Sequence, residues 1–222
     1  MDDRSARLRP HDFEAEMHAV RERFAAMAAR GRGQTHLALE AFWTGSKEMS
    51  AQVEAADDAI DDEEKAIDAL VLRILALRQP VASDLRMLTA LFKLVTDLER
   101  IGDEAVDIAR ATGPLPPDVG NTRERLRQMA DAIDRMFGAA VRSFLEGNAQ
   151  LAEEVLRTDD DVEAMHGEIL RDCVTLLSRH PAETAPAMGA LSVAKCLGRI
   201  ADHAMNIAEG TLFVVRGDEM PR

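Results

Sequence analysis

The chain has 222 residues, of which 46% are hydrophobic, 30% charged and only 4% aromatic, with no tyrosine. That is enough apolar material to bury a core in one large domain or two small ones, and the abundance of good helix formers predicts helix throughout. The 27 basic residues against 40 acidic ones leave a net charge of -13, a field that repels nucleic acid, anionic membrane surfaces and free phosphate, and neither GxxxxGK[ST] nor GxGxxG is present to cradle a phosphate.

A first helix is predicted over about 12–44, with Gly31 and Gly33 marking a kink or short break, because glycine weakens a helix interior. After a turn at Thr44-Gly45, Ser46 can cap a second helix that runs to about Arg78, with Ile60, Ile67, Val71 and Ile74 at three- and four-residue steps. Gln79-Pro80 ends it. The third helix runs from after Pro80 to about Ala111 on an apolar stripe of Leu88, Leu91, Val95, Leu98, Ile101, Ala105 and Ile108. Three prolines and two glycines in TGPLPPDVG, 112–120, then mark a boundary. Beyond it a fourth helix reaches about Glu146, a fifth runs from about Ala149 to Arg179, and a sixth from about Ala185 to Arg216.

The second half repeats the first. Adding 102 carries Phe42, Gly45, Val53, Asp57, Asp58, Ile60, Ile67 and Ile74 onto Phe144, Gly147, Val155, Asp159, Asp160, Val162, Ile169 and Leu176. After the next turn the offset becomes 99, and LERIGDEAVDIA (98–109) agrees with LGRIADHAMNIA (197–208) at seven of twelve positions. Duplication of one unit is the simplest account. Short turns between long helices force neighbours to run antiparallel. The predicted fold is therefore all-α: two tandem three-helix bundles, residues 1–113 and 114–222, with six long helices in all. Helices of about 30 residues reach roughly 45 Å, which makes an elongated molecule with a long flank for dimerisation.

Carboxylates are the candidate ligands. Glu99, Asp103 and Asp107 follow one another at i, i+4, i+8, so they form a line on the third helix beside the core residues Leu98 and Ile101. Each like-charged pair costs roughly 0.2–0.5 kcal/mol on a helix, to be offset by solvent, by Arg100 and Arg110, or by a bound cation. Asp57, Asp61 and Glu64 form a second line on the second helix, placed to face the first. Oxygen-only ligand sets suit Mg²⁺, Ca²⁺, Mn²⁺ or oxophilic iron. In the second unit Gly198, Asp202 and Asn206 stand where Glu99, Asp103 and Asp107 stand in the first, so Asp202 is the one acid left, and weaker metal binding is expected there. Asp159, Glu163 and His166 occupy the places of Asp57, Asp61 and Glu64.

Other chemistries find less support. Glu163-Ala-Met-His166 matches half of a di-iron carboxylate motif, but no second Glu-x-x-His accompanies it. Gly-x-Ser-x-Gly and His-Glu-x-x-His are absent. Adjacent helical residues point about 100° apart, so His203 beside Asp202 reads as a surface or dimer-facing histidine. Cys173 and Cys196 sit at apolar positions and read as buried free thiols. The amino terminus lacks an apolar targeting region, and no apolar run approaches about 18 residues, so a cytoplasmic protein with no membrane insertion is expected.

RQPVASDLR (78–86), DLERIGDEAVDIA (97–109) and RIADHAMNIAEG (199–210) carry a resemblance to the PhoU family of phosphate transport system regulatory proteins, over nearly the whole chain. The resemblance implies a negative regulator and not an enzyme: a cytoplasmic, often dimeric adaptor that joins the ATPase of a phosphate ABC transporter to a membrane sensor histidine kinase and restrains the phosphate-starvation response. It also implies metal binding through Glu/Asp-x-x-x-Asp on the third helix of each bundle, with divalent or iron-type ions as the cofactors. Glu99 and Asp103 match that pattern in full; Asp202 matches only its second acid. A metal-storage or redox bundle built on Glu99, Asp103 and Asp107 is the competing reading, and a paralogue of the regulator with other partners is a third.

Overall fold

The computed structural model describes residues 10–111, 121–179 and 184–217. It contains α1 (Pro10–Thr44), α2 (Lys47–Arg78), α3 (Ala82–Arg110), α4 (Thr122–Glu146), α5 (Ala149–Leu156), α6 (Asp159–Arg179) and α7 (Thr184–Arg216). The expected linker at 112–120 lies outside the described residues. Helices α1, α2 and α3 pack on one another, as do α4, α5, α6 and α7, and the two bundles meet chiefly where α3 lies against α7. The all-helical, duplicated architecture agrees with the expectation of two three-helix bundles.

Local chemistry explains the turns, and the duplication repeats it. Ser46 caps α2 by accepting from the Met49 amide, and Asn148 caps α5 by accepting from the Leu151 amide. The residue before each cap is a glycine at positive φ, 68° for Gly45 and 63° for Gly147, a conformation that favours residues without a Cβ.

Two details differ from the sequence expectation. Helix α1 runs unbroken through Gly31 and Gly33. Buried Met27, Ala28, Ala38 and Phe42 anchor both flanks, and this packing outweighs the roughly 1 kcal/mol by which each glycine weakens the helix. The fifth helix is not one rod. It ends at Leu156, the Thr158 hydroxyl bonds back to the Val155 carbonyl at 2.6 Å, and α6 begins on Asp159, Asp160 and Asp161. A side chain competing for the backbone, followed by three acids that favour a helix N-terminus, is a local restart signal.

The core residues Leu91, Leu94, Leu98, Ile101 and Ile108 line α3 and are at most 1% exposed. Gly102 lies among them for a steric reason: a Cβ there would stand 3.1 Å from Asp57 Oδ1, 3.2 Å from Ile60 Cδ1 and 3.4 Å from Gln34 Oε1. Gly102→Ala gains about 1 kcal/mol of helix propensity but overpacks a three-helix junction, which costs about 1–3 kcal/mol. The expected result is a net destabilisation of about 1 kcal/mol in urea denaturation, with the Asp57 carboxylate displaced.

Candidate acidic cleft and interbundle seam

The two acidic lines predicted on α2 and α3 do face one another, and the α2 acids raise the proton affinity of Glu99 and Asp103. The Glu99 carboxyl is pushed up to about 7, first by burial and then by Asp103, Glu64 and Asp61, with Arg100 opposing. Asp103 is shifted upward by burial and then by Asp57, Asp61, Asp107 and Glu104. For Asp57, burial again raises the pKa, and a hydrogen bond from Gln34 counters it.

Neighbouring side chains fix this geometry. Buried Gln34 of α1 donates from its amide to the Val53 carbonyl at 3.0 Å and to Asp57 Oδ1 at 3.2 Å, and its own Oε1 has no partner. Thr96 donates to Glu64 Oε1 at 2.8 Å. Asp68 extends the α2 line by one more turn; burial, then Glu64, raises its pKa, and its Oδ1 is buried without a partner. Of the nearby cations, Arg110 pairs with Glu54 at 2.7 Å and Arg199 with Glu104 at 2.9 Å, and Arg100 acts on Glu99.

The upper part of this acidic region opens into a cleft of about 770 Å³. Glu64, Thr96, Glu99, Arg100, Asp103 and Glu104 line it from the first bundle, and Arg199, Asp202 and His203 from the second. Asp202 therefore shares one cleft with Glu99 and Asp103. Its carboxyl is raised by burial and then by Asp159, which repeats the relation of Asp103 to Asp57. Asp107 lies one turn beyond, exposed and outside the lining, and Glu163 and His166 do not reach the cleft. At Gly198 nothing lies within 4 Å of where a Cβ would stand, so packing does not exclude the carboxylate that is missing there. A more apolar groove of about 850 Å³ lies between α1 and α4, where Arg32 and His36 both bond Asp134.

The α3–α7 seam corrects the reading of His203. It is not a surface histidine: its side chain is 15% exposed, and Nδ1 lies 2.9 Å from Oδ1 of buried Asp97. Asn206 donates to the same oxygen at 2.8 Å. The residue that replaced the third acid of the line has thus become a clasp between the bundles. No local pattern signals this, because the partners are more than 100 positions apart. Cys173 and Cys196 are both buried free thiols, as expected.

Glu99 makes the electrostatics testable. Its folded-state pKa lies above the ordinary 4.5, so the folded protein holds this proton more tightly than the unfolded chain does. The ionised carboxylate destabilises the fold increasingly as pH rises from 4.5 to about 7, and the penalty vanishes below that window. Glu99→Gln should stabilise the chelator-treated protein by about 1–2 kcal/mol at about pH 8 and hardly at all at about pH 4.5. Urea denaturation at the two pH values checks this.

The family model described as the PhoU domain matches residues 24–112 and again residues 126–211. The chain belongs to the PhoU family. A phosphate-specific transport system accessory protein PhoU homolog from Pseudomonas aeruginosa is 35% identical over 210 residues, covering 94% of this chain and 87% of the relative. A PhoU homolog of the same description from Clostridium acetobutylicum is 30% identical, covering 94% and 96%. The crystal structure of PhoU from Pseudomonas aeruginosa superposes with a TM-score of 0.86 at 35% identity, covering 93% of this chain and all of that one. The phosphate transport system regulatory protein PhoU from Streptococcus pneumoniae gives 0.84 at 25% identity, covering 95% and 99%. PhoU proteins are regulatory accessory proteins and not enzymes, and the two family matches fall on the two copies of the duplicated unit.

Proposed function

We propose that this PhoU-family chain acts in the cytoplasm, as a homodimer, as a negative regulator of phosphate uptake and of the phosphate-starvation response. It does so as an adaptor between the ATPase of a phosphate ABC transporter and a membrane sensor histidine kinase. The observation that carries the reading is the double PhoU-domain match over a full-length PhoU fold. Three physical features support it. Among the described residues no helix is long and apolar enough to cross a membrane. The equivalent positions Leu72 and Val174 are each 54% exposed, as expected of apolar contacts awaiting a partner in both repeats. The net charge of -13 argues against nucleic acid as that partner.

Within this role the acidic cleft holds an oxygen-preferring divalent or iron-type cation through Glu99 and Asp103, with Asp107 and Asp202 as outlying ligands. Raised carboxyl pKa values and the unpartnered Asp68 and Gln34 oxygens describe a region short of positive charge, which is what a cation relieves. The ligands are not pre-collapsed: Glu99, Asp103 and Asp107 do not bring their oxygens within 4.8 Å of one another. Units 1–113 and 114–222 serve as unequal halves, the first binding metal and the second, lacking the acid at Gly198, freer for protein contacts.

Affinity purification of the native chain from cells in high and low phosphate, read by mass spectrometry, tests the adaptor role. The transporter ATPase and a sensor kinase are the expected partners in high phosphate; their absence in both conditions contradicts the role. Elemental analysis of the purified protein, with Glu99→Ala and Asp103→Ala as controls, tests the cation. A stoichiometric redox metal that turns over oxygen would favour a storage or redox bundle instead.

A further inference from the structure

We propose that Glu104, Asp107 and Cys196 form a second metal site, for a thiophilic divalent cation of the zinc class, where α3 meets α7. Among the described residues this is the one group of three or more acid, cysteine or histidine side chains whose donor atoms all lie within 4.8 Å of one another. It uses neither Glu99 nor Asp103, has only the outlying Asp107 in common with the acidic cleft, and does not depend on the regulatory role proposed above.

One member of the group carries a buried oxygen that lacks a nitrogen or hydroxyl donor. Glu104 is 8% exposed; its Oε1 is held by Arg199 at 2.9 Å, while Oε2 is buried with no nitrogen or hydroxyl donor on it, and among the described residues the Cys196 thiol is the one further donor that bonds Glu104. Such an atom costs free energy unless a proton or a cation meets it.

The duplication supplies an internal comparison. The 99-residue offset carries Asp97, Glu104 and Asp107 of α3 onto Cys196, His203 and Asn206 of α7. Two equivalent triads therefore flank the seam: Asp97 with His203 and Asn206, and Cys196 with Glu104 and Asp107. In the first, the carboxylate receives the Asn206 amide and contacts the His203 ring nitrogen, so that triad closes by hydrogen bonds alone. In the second, the same positions hold a thiol between two carboxylates. Arg199 donates to one oxygen of Glu104, and beyond it only the thiol proton joins groups that are otherwise all acceptors, so the triad is built to close on a cation.

The donor set chooses the ion. Sulfur with two carboxylate oxygens suits Zn²⁺, leaving a fourth position for water, and disfavours Mg²⁺ and Ca²⁺. Burial and Glu104 push the Cys196 thiol up to about 12, so the metal-free thiol is protonated and unreactive, and only an ion that bonds sulfur strongly displaces the proton. Binding converts Cys196–SH and M²⁺ into the metal thiolate and a released proton, with no change of oxidation state.

Metal-free full-length protein titrated with Co²⁺ alone, followed by Zn²⁺ competition, tests the site. A sulfur-to-cobalt charge-transfer band in the near ultraviolet is expected, saturating with added Co²⁺ and erased by Zn²⁺. Cys196→Ser should abolish the band, and Cys173→Ser should keep it. Asp107→Asn alters an exposed residue, leaves folding intact by circular dichroism, and should weaken Co²⁺ binding roughly tenfold or more. Glu99→Gln and Asp103→Asn should leave the band unchanged. Absence of the band in the natural sequence, its survival in Cys196→Ser, or unchanged affinity in Asp107→Asn overturns the proposal.

Discussion

Phe24→Ala should lower the unfolding free energy by about 3–5 kcal/mol, the range for emptying a fully buried aromatic site. Phe24 of α1 is 0% exposed, and its ring stacks at a tilt on Phe144 of α4, with centroids 5.1 Å apart. The side chain thus fills the core of the first bundle and touches the second. Truncation removes apolar burial, leaves a cavity, and deletes an aromatic contact worth about 0.5–1.5 kcal/mol. Phe24→Leu keeps most of the volume and should lose much less. Urea denaturation of both variants measures the difference; a loss below about 1 kcal/mol for Phe24→Ala would mean that the interbundle contact is not formed in solution.

Asp97→Ala should cost about 2–3 kcal/mol, although it changes no apolar contact of the core. It strips the shared acceptor from Asn206 and His203, leaving largely buried polar groups unpaired. The loss is tempered because Asp97 itself carries a buried Oδ2 with no partner. A double-mutant cycle separates the clasp from general damage: in an Asn206→Ala background the cost of Asp97→Ala should fall by about 1 kcal/mol. Additive costs would show that the two residues are not coupled. Because the clasp joins α3 to α7, the same variant should also loosen the cleft that Glu99, Asp103 and Asp202 share.

Helix positions and the duplication were legible in the sequence because both rest on periodic, local signals. The stripe from Leu88 to Ile108 sits at three- and four-residue steps, and the turn glycines Gly45 and Gly147 recur at one offset. What failed locally failed for identifiable reasons. Gly31 and Gly33 carry a breaker's propensity that tertiary packing overrides. Thr158 and its three following acids carry a restart signal, but the match of Asp159 and Asp160 to the Asp57-Asp58 pair of an unbroken helix masks it.

The candidate site was half legible. Spacing alone placed Glu99, Asp103 and Asp107 on one line opposite Asp57, Asp61 and Glu64, and Asp68 was available as the next step of that second line. The union of Asp202 with Glu99 and Asp103 in one cleft was hidden, because it depends on how the bundles dock. The substitution of Asn206 for an acid looked like decay when the repeats were aligned one residue at a time. In three dimensions that residue bonds Asp97 of the other repeat. A duplicated chain can thus diverge by turning one copy's ligand into the joint that holds the two copies together.

The central claim, that this PhoU-family chain restrains the phosphate-starvation response, is tested most directly by measuring starvation-gene expression in high phosphate after its gene is deleted. Expression should stay on despite ample phosphate and return to repression when the natural chain is restored. Normal repression in the deletion strain would contradict it.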